Sequence, residues 1–420
     1  MAVSVIAFIV ALAVIATERV HRTKVALIGA AVVVLFAGNE YGQELAIESI
    51  DFNTIGLLVG MMILVHLTQQ TGVYDYIAIR AGQLSRGRPA YVVLTLAGTT
   101  ALLSAFLDNL TTILLIVPVT FLLADALDLD PIPLIVIEVI ASNLGGTATL
   151  IGDPPNIIIA GATDLSFNAF IVNLAPIVLI TLVVVVPLLY AVFRSRLQIP
   201  EENRKVVMEL DANSAIRDSD ELKRTGTVLA LTILAFFAHQ ALHVEPATVA
   251  LTGAAVGLLV TRQDLEESLA RIEWATLFFF VGLFVMVGAL EATGAIEEVA
   301  DAAKDLTNGN RTAELMGITW IAGLGSGLVD NIPFTTAMVP VVESLNEGDD
   351  DAYWWALSLG ACFGGNMTII AAAANVAASG LAERAGRPIG FVPFLKIGLP
   401  VTLISLVMAS AYILIRYVAL

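Results

Sequence analysis

Long apolar runs separated by short polar segments fill most of this 420-residue chain. Several runs approach the length of about 20 residues that an α-helix needs to cross the hydrocarbon core of a bilayer. The pattern predicts membrane-spanning helices, the clearest of which cover residues 3–16, 24–38, 54–68, 171–193, 227–239, 248–261, 275–290 and 395–415. The predicted fold is an all-α polytopic membrane protein with about ten full crossings.

A polar motif interrupts the apolar runs twice. SAFLDNLTTILLIVP, residues 104–118, returns 222 residues later as SGLVDNIPFTTAMVP, residues 326–340. The same spacing carries Gly60 to Gly282. The chain is therefore predicted to consist of two repeats, and a duplicated membrane protein with polar breaks in matching places is typical of secondary transporters.

The positive residues predict an orientation in the cell membrane. If the N-terminus lies outside, every Lys and Arg except Lys304, Arg311 and Arg416 falls on the cytoplasmic side, as the positive-inside rule requires. Both termini are then outside. The helix that begins at Phe52 runs inward, whereas its copy from Trp274 runs outward, so the two repeats are predicted to be inverted.

The predicted organisation has three parts, of which the two repeats each contain a hairpin and a broken helix. The first repeat spans 1–193, with its hairpin at 89–125 and its broken helix at 131–161. A polar, cytoplasmic linker spans 194–226. The second repeat spans 227–420, with its hairpin at 312–345 and its broken helix at 353–380.

Each copy of the motif predicts a re-entrant hairpin. Two apolar arms meet at Asp108 and Asn109 with no loop between them. Two full spans that turned there would leave helix-end amides and carbonyls unpaired in hydrocarbon, whereas a hairpin buried in protein avoids that cost. The predicted binding residues at the two mid-membrane tips are Asp108, Asn109, Thr111 and Thr112, and Asp330, Asn331, Thr335 and Thr336.

A second duplicated element follows each hairpin. GGTATLIGDPPN, residues 145–156, corresponds to GGNMTIIAAAAN, residues 364–375. Glycine pairs and a Pro-Pro step predict helices broken at mid-membrane, where half-helix ends can bind ions. The predicted site residues are Gly145, Gly146, Thr147, Thr149, Asp153 and Asn156, and Gly364, Gly365, Asn366, Thr368 and Asn375. We expect the glycines to open the backbone, and Asn156 and Asn375 to pair across the breaks.

These motifs, together with SNLGGTATLIGDPPNIIIAG at 142–161, resemble the ion transporter superfamily. The resemblance is to the branch that contains ArsB arsenite permeases, NhaD sodium/proton antiporters and the melanosomal P protein, and more distantly to the divalent anion:sodium symporters. It implies a scaffold domain, a transport domain with two opposed hairpins, an elevator mechanism and a homodimer. The dicarboxylate relatives carry Ser-Asn-Thr at each tip, whereas this chain carries Asp-Asn-Leu and Asp-Asn-Ile.

The charges at the tips and breaks favour a small cation. The ionisable residues there are Asp108, Asp153, Asp330 and Glu138, and no Lys or Arg lies among them in the sequence. A multiply charged anion would need Arg, Lys or a bound cation, whereas an acid-only site suits Na⁺ or H⁺. Because desolvation raises the pKa of a buried carboxylate, one group can bind either a proton or a metal ion.

We therefore expect proton-coupled antiport, with Na⁺ or Li⁺ exchanged for H⁺. Proton coupling is assigned to Asp108, Asp153 and Asp330, and mainly to the first two, because Asp153 aligns with Ala372 in the second copy. Candidate Na⁺ positions are Asp108 with Asn109 and Asp330 with Asn331. The tip aspartates can also cap the helices that follow them, a role that is compatible with ion binding.

Other functions remain open. Efflux of arsenite or antimonite needs no positive residue, and the single cysteine, Cys362, is a candidate soft ligand. No GxxxxGK[ST] loop is present, so ATP-driven efflux would need a separate ATPase subunit. Symport of a di- or tricarboxylate is a second alternative and an ion channel a third, although inverted hairpins suit alternating access better than a static pore.

The remaining expectations concern partners and chemistry. No nucleophile–base pair or metal cluster stands out in the sequence, so an enzyme is not expected. The expected partners are the lipid bilayer, a small ion or neutral oxyacid as substrate, and a second copy of the chain. No nucleic acid and no cofactor beyond the transported or coupling ions are expected.

Overall fold

The computed structural model describes residues 1–17, 19–38, 41–201, 203–346, 348 and 350–419. That part of the chain is helical and contains no β-strand. Its α-helices are, in chain order, α1 Ala2–Ala16, α2 Arg22–Phe36, α3 Gln43–Glu48, α4 Phe52–Gln69, α5 Val73–Leu84, α6 Pro89–Phe106, α7 Asn109–Leu127, α8 Pro131–Gly146, α9 Pro154–Gly161, α10 Phe167–Phe193, α11 Val206–Glu209, α12 Ser219–Ala238, α13 Pro246–Val260, α14 Leu265–Ala270, α15 Trp274–Ala292, α16 Ala295–Thr307, α17 Arg311–Leu328, α18 Asn331–Leu345, α19 Asp351–Gly364, α20 Ala373–Arg384 and α21 Phe391–Ile413. Short 3₁₀ turns cover Ala212–Ala215 and Ile369–Ala371, and a π-helical segment covers Leu414–Ala419.

Within the described residues, six helical segments are long and apolar enough to cross a membrane. They are α4, α6, α7, α10, α15 and the continuous run Phe391–Ala419 that begins with α21. Three shorter apolar helices, α1, α8 and α13, accompany them. The prediction of an all-helical, polytopic membrane protein is therefore confirmed.

Acidic side chains fix the starts of several helices. Asp51 accepts hydrogen bonds from the backbone N–H groups of Asn53 (2.9 Å) and Thr54 (3.2 Å) at the start of α4. Asp130 accepts one from Ile132, just after the proline that opens α8. Such caps satisfy amides that the first helical turn leaves unpaired, and the proline costs nothing there because its missing N–H would be unpaired anyway.

The order of helices from α4 to α9 recurs from α15 to α20. Gly72 precedes α5 and Gly294 precedes α16, each with the left-handed backbone that favours glycine (φ +79° and +77°). Asp108 and Asp330 occupy the N-cap positions of α7 and α18. The recurrence follows the 222-residue spacing of the sequence motif.

In one group of helices, a helix from each half of the chain packs against a helix from the other half. Helix α2 packs against α15, and α4 packs against α13. Two glycines permit these close approaches: a Cβ on Gly60 would lie 2.5 Å from the carbonyl carbon of Ala250, and one on Gly282 would lie 2.7 Å from that of Ala26. Each half of the chain therefore supplies a helix that the other half buries.

The hairpin motifs and the broken helices form a second packing group. Helix α6 packs along α8, and α17 packs along α19. The halves also cross here, because α7 contacts α20 and α18 contacts α9. Gly145 lets α8 approach α6 closely, since a Cβ there would lie 2.5 Å from the Cα atom of Ala101. This crossing brings both hairpin turns and both helix breaks to one place in the core.

Candidate functional site

Asp153 lies where the two hairpin turns and the first helix break meet. Its side chain is fully buried. The amide nitrogens of Asn109 and Asn331 each lie 3.1 Å from its Oδ1 atom and donate hydrogen bonds to it. Its Oδ2 atom has no hydrogen-bond partner among the described residues. Two predicted binding residues, 222 positions apart in sequence, thus converge on one carboxylate oxygen.

Asn143, near the end of α8, extends this cluster to the second helix break. Its Oδ1 atom accepts a hydrogen bond from Asn109 at 3.2 Å. Its Nδ2 atom lies 2.9 Å from Oδ1 of Asn375 and 3.1 Å from Oδ1 of Asn366. The Nδ2 atom of Asn366 has no partner among the described residues. All of these amides are buried, so they form a buried polar network between the halves.

Asn156 and Asn375 each bridge the break of their own helix. Asn156 donates to the carbonyls of Thr147 (3.0 Å) and Thr149 (2.8 Å). Asn375 donates to the carbonyls of Gly365 and Thr368, both at 2.7 Å. The two asparagines therefore pair across the breaks with backbone oxygens and not with one another. They satisfy carbonyls that a broken helix would otherwise leave unpaired.

The two tip aspartates have different environments. Asp108 accepts hydrogen bonds from both the backbone N–H (2.8 Å) and the hydroxyl of Thr111. Asp330 accepts one from the backbone N–H of Ile332 at 2.9 Å through Oδ1. Both side chains thus cap the helices that follow them, while the asparagines beside them turn towards Asp153. Asp108 and Asp330 nevertheless remain within electrostatic range of Asp153.

Arg22 corrects the expectation that no positive residue lies among these acids. Its Nη1 atom lies 2.9 Å from Oδ2 of Asp330, and the ion pair is largely buried. The carboxylate of Glu273, which precedes α15, interacts electrostatically with both Arg22 and Asp108. Arg22 lies outside the hairpins and breaks, at the start of α2 and 308 residues before Asp330.

Most of the predicted hydroxyl residues are buried and bond to nearby backbone, whereas the buried hydroxyl of Thr112 has no hydrogen-bond partner among the described residues. Thr335 donates to the carbonyl of Asn331 and Thr336 to that of Ile332. Thr147 and Thr149 donate to carbonyls of the broken-helix region and the first hairpin. Thr368 donates to the carbonyl of Gly327 at 2.8 Å. Hydroxyl oxygens that donate in this way keep lone pairs for another partner.

The described residues line two cavities near these groups. One, of about 430 Å³, is lined by Arg22, Asp330, Leu110 and residues of α20, and so reaches both hairpin turns. The other, of about 190 Å³, lies beside Asp51, Thr336 and the ends of α15 and α18, and none of the three site aspartates lines it. Of these two cavities, the larger is therefore the one that Asp330 lines, beside the start of α2.

Cys362 is fully buried beside the same cluster. Its sulfur lies 3.8 Å from Oδ1 of Asn156, which also accepts a hydrogen bond from Ser358 at 2.6 Å. No group of three or more His, Cys, Asp and Glu side chains suited to a metal ion is found in the part of the chain that the structure describes.

Several members of the cluster were not predicted. The sequence carried a signal for Asn143, because this polar residue lies two positions before Gly145 in the duplicated motif and aligns with Cys362 in the second copy. Ser358 carries no such signal, because a serine in an apolar helix is common. Arg22 and Glu273 could not be found from spacing, since only tertiary packing brings them to the tips.

Two broken helices and two polar turns that enclose a buried carboxylate are typical of secondary membrane transporters. Comparison with known families agrees, since residues 12–360 match the CitMHS family, described as citrate transporter. The chain belongs to this family, within the ion transporter superfamily, so the resemblance seen in the sequence motifs is confirmed.

The relatives extend over the whole chain. An uncharacterized transporter of Mycobacterium tuberculosis is 44% identical over 432 residues, which cover 100% of this chain and 99% of the relative. The P protein of Homo sapiens is 33% identical over 492 residues, covering 97% of this chain and 59% of that protein. The crystal structure of the Alcanivorax borkumensis YdaH transporter matches with a TM-score of 0.59 over 88% of this chain and 86% of that one. At 17% identity this likeness shows the fold alone.

Proposed function

We propose that this protein exchanges Na⁺ or Li⁺ for protons across the cell membrane. The observation that carries the proposal is the buried carboxylate of Asp153, which the amides of Asn109 and Asn331 approach from both halves. Ionisable groups inside membrane proteins are costly and mark ion or proton pathways. A carboxylate with one oxygen held by amides and the other, beside the Cys362 thiol, without a hydrogen-bond partner among the described residues suits alternate binding of a proton and a small cation.

The balance of charge supports a cation over a carboxylate anion. Among the described residues, three aspartates and Glu273 surround the site against one guanidinium, that of Arg22, which is already paired with Asp330. A citrate-like substrate would add further negative charge to this set and would require additional positive partners. The family description nevertheless names citrate. The transport experiment therefore has to distinguish cation exchange from symport of a di- or tricarboxylate.

The proposed architecture follows the sequence analysis. Residues 1–193 and 227–420 form inverted repeats, the hairpins at 89–125 and 312–345 are re-entrant, and the linker 194–226 is cytoplasmic, with both termini outside. Support comes from the recurring helix order and from the crossing of α7 with α20 and of α18 with α9. The separate packing of α2, α4, α13 and α15 supports a scaffold against which the hairpin group moves as an elevator. We also propose that the carrier functions as a homodimer.

In the proposed cycle, the carrier alternates between cation-loaded and proton-loaded forms. On one side the cation leaves its oxygen ligands and a proton binds a site carboxylate in its place. The hairpin group then moves, and the proton is released on the opposite side as another cation binds. Asp153 and Asp108 act as the principal exchanging groups in this scheme, and Asp330 shapes the cation site.

Proteoliposomes with an acidic interior test the proposal. Adding Na⁺ or Li⁺ outside should raise the interior pH, which relieves the quenching of a fluorescent amine dye that accumulates in acidic vesicles. The rate of this response should saturate at high Na⁺ or Li⁺ concentration. Asp153→Asn and Asp108→Asn should each abolish this response, whereas Asp125→Asn, an exposed site on α7, should retain it. Unchanged exchange by both site variants would overturn the assignment.

The same vesicles separate the competing functions. Dissipation of the gradient by citrate alone would indicate an anion carrier, and non-saturating conductance would indicate a channel. Arsenite is the second candidate, because the thiol of Cys362 lies 3.8 Å from Asn156 within the cluster. Arsenite flux that is lost in Cys362→Ser, without a response to Na⁺ or Li⁺, would support that function instead.

A further inference from the structure

The ion pair between Arg22 and Asp330 joins the two packing groups of the protein. Arg22 lies at the first position of α2, whereas Asp330 lies at the turn of the second hairpin. We propose that Arg22 is a tethered cation that competes with the transported cation for Asp330 and latches the unloaded carrier in the conformation seen here. This inference rests on the proposed function, because it assumes that a cation binds near Asp330.

The position of Arg22 is fixed by its own packing group. The neighbouring Thr23 hydroxyl donates a hydrogen bond of 2.7 Å to the carbonyl of Ala275, which ties the start of α2 to α15. The guanidinium carbon lies 5.0 Å from the centre of the Phe279 ring, a cation–π contact that holds the side chain over α15. Arg22 is therefore held in place by α2 and α15. The ion pair forms only when the second hairpin places Asp330 beside it.

The pair leaves little of Asp330 available to another cation. Its Oδ1 atom accepts the backbone N–H of Ile332 at 2.9 Å, and its Oδ2 atom is held by Arg22 at 2.9 Å. Only 6% of the Asp330 side chain is exposed, so water compensates poorly for the loss of a partner. A cation entering through the 430 Å³ cavity meets Arg22 and Asp330 together. A cation that binds Asp330 therefore competes with the guanidinium for the same carboxylate.

The latch is present on one side of the carrier alone. The position 222 residues after Arg22 is Val244, which is apolar and precedes α13. If the hairpin group moved to the opposite side, Asp108 would meet no arginine at the equivalent place. The ion pair thus favours one of the two conformations in the absence of substrate, and a ligand shifts such an equilibrium only by its differential affinity for the two states.

Two variants of Arg22 test the competition in the reconstituted full-length protein. Arg22→Gln should lower the Na⁺ concentration for half-maximal exchange by about fivefold, the scale of a modest ion pair. Arg22→Lys, which keeps the charge, should stay near the wild-type value. Lys24→Gln, an exposed neighbour on α2, is the matched control for removal of a positive charge. A half-maximal Na⁺ concentration for Arg22→Gln equal to that of Lys24→Gln would overturn the competition.

A labelling experiment tests the latch without measuring transport. Val376 is exposed and lines the larger cavity, so Val376→Cys reports its accessibility to a membrane-impermeant maleimide, with low background because Cys362 is buried. In the Val376→Cys background and without Na⁺, a further Arg22→Gln or Asp330→Asn substitution should slow labelling severalfold, because either one breaks the ion pair that favours this conformation. The two substitutions together should slow labelling no more than either alone. Unchanged labelling would overturn the latch. If the wild-type protein showed no Na⁺/H⁺ or Li⁺/H⁺ exchange but the labelling changed as expected, the antiport proposal would be refuted and the latch would stand.

Discussion

Replacing Asn143 with alanine removes the side chain that connects the two helix breaks. The amide accepts a hydrogen bond from Asn109 and donates towards Asn366 and Asn375. Asn109 keeps its bond to Asp153 after the substitution. The Oδ1 atoms of Asn366 and Asn375, however, lose the one donor that the structure gives each of them.

The expected loss of stability follows from these two acceptors. A buried acceptor without a partner costs about 1–3 kcal/mol, and hydrogen bonds between membrane helices average about 0.6 kcal/mol. Taking roughly 1 kcal/mol for each acceptor gives a destabilisation of about 2 kcal/mol. In a chain of this size the melting temperature should fall by about 2 °C, since a larger unfolding entropy reduces the shift for each kcal/mol.

The single cysteine provides the assay. Cys362 is fully buried, so a thiol-reactive dye becomes fluorescent only as the detergent-solubilised protein unfolds. Tryptophan fluorescence should give the same midpoint, which excludes local exposure of the thiol beside the site. Asn53→Ala, at an exposed position in the first turn of α4, is the control. A melting temperature for Asn143→Ala equal to that of the control would show that the interhelical amide network contributes no stability.

Three further substitutions have definite expected results. Gly145→Ala should abolish recovery of monodisperse protein in size-exclusion chromatography, because its Cβ would meet backbone atoms of α6, whereas Gly98→Ala, with open space around it, should be recovered normally. Thr120→Val should lower the free energy of unfolding by about 1–2 kcal/mol, measured as a lower thermal midpoint, because it removes the hydroxyl that donates to the buried carboxylate of Glu138. The Thr95 hydroxyl donates to carbonyls of its own helix, so Thr95→Val should change the midpoint much less. Asn331→Ala should raise the Na⁺ concentration for half-maximal exchange about tenfold by removing one of two amides from the central carboxylate, and an unaltered value would argue against that carboxylate as the cation site.

Much of the fold could be predicted because membrane helices have a strong local signal. Apolar runs located most helices, and the meeting of two arms at Asp108 located the turn between α6 and α7. The glycine and proline pattern located both helix breaks, since these residues disfavour a continuous helix. Helix ends were less accurate. The predicted run 227–239 proved to be the apolar part of α12, whose first two turns carry charged residues of the linker.

The site could be predicted only in part, for a reason of geometry. Residues within the duplicated motifs were found because their spacing repeats, and Asn109 and Asn331 do meet at Asp153. The role of Arg22 depended on which helix packs beside the second hairpin, and no local pattern encodes that choice. The sequence therefore indicated an acidic site but gave no sign of the internal positive charge that accompanies it.

The exchange of partners between the two halves has a consequence for synthesis of the protein. The hydroxyl of Thr23 bonds to a carbonyl that lies 252 residues later in the chain. At translation rates of about 5–20 residues per second, α2 leaves the ribosome roughly 13–50 s before α15 exists to cover it. During that interval the face of α2 that packs against α15 has to be shielded by lipid or by the insertion machinery. The amino-terminal half therefore cannot complete its own packing during translation, and final assembly of this protein waits for the second half to be inserted.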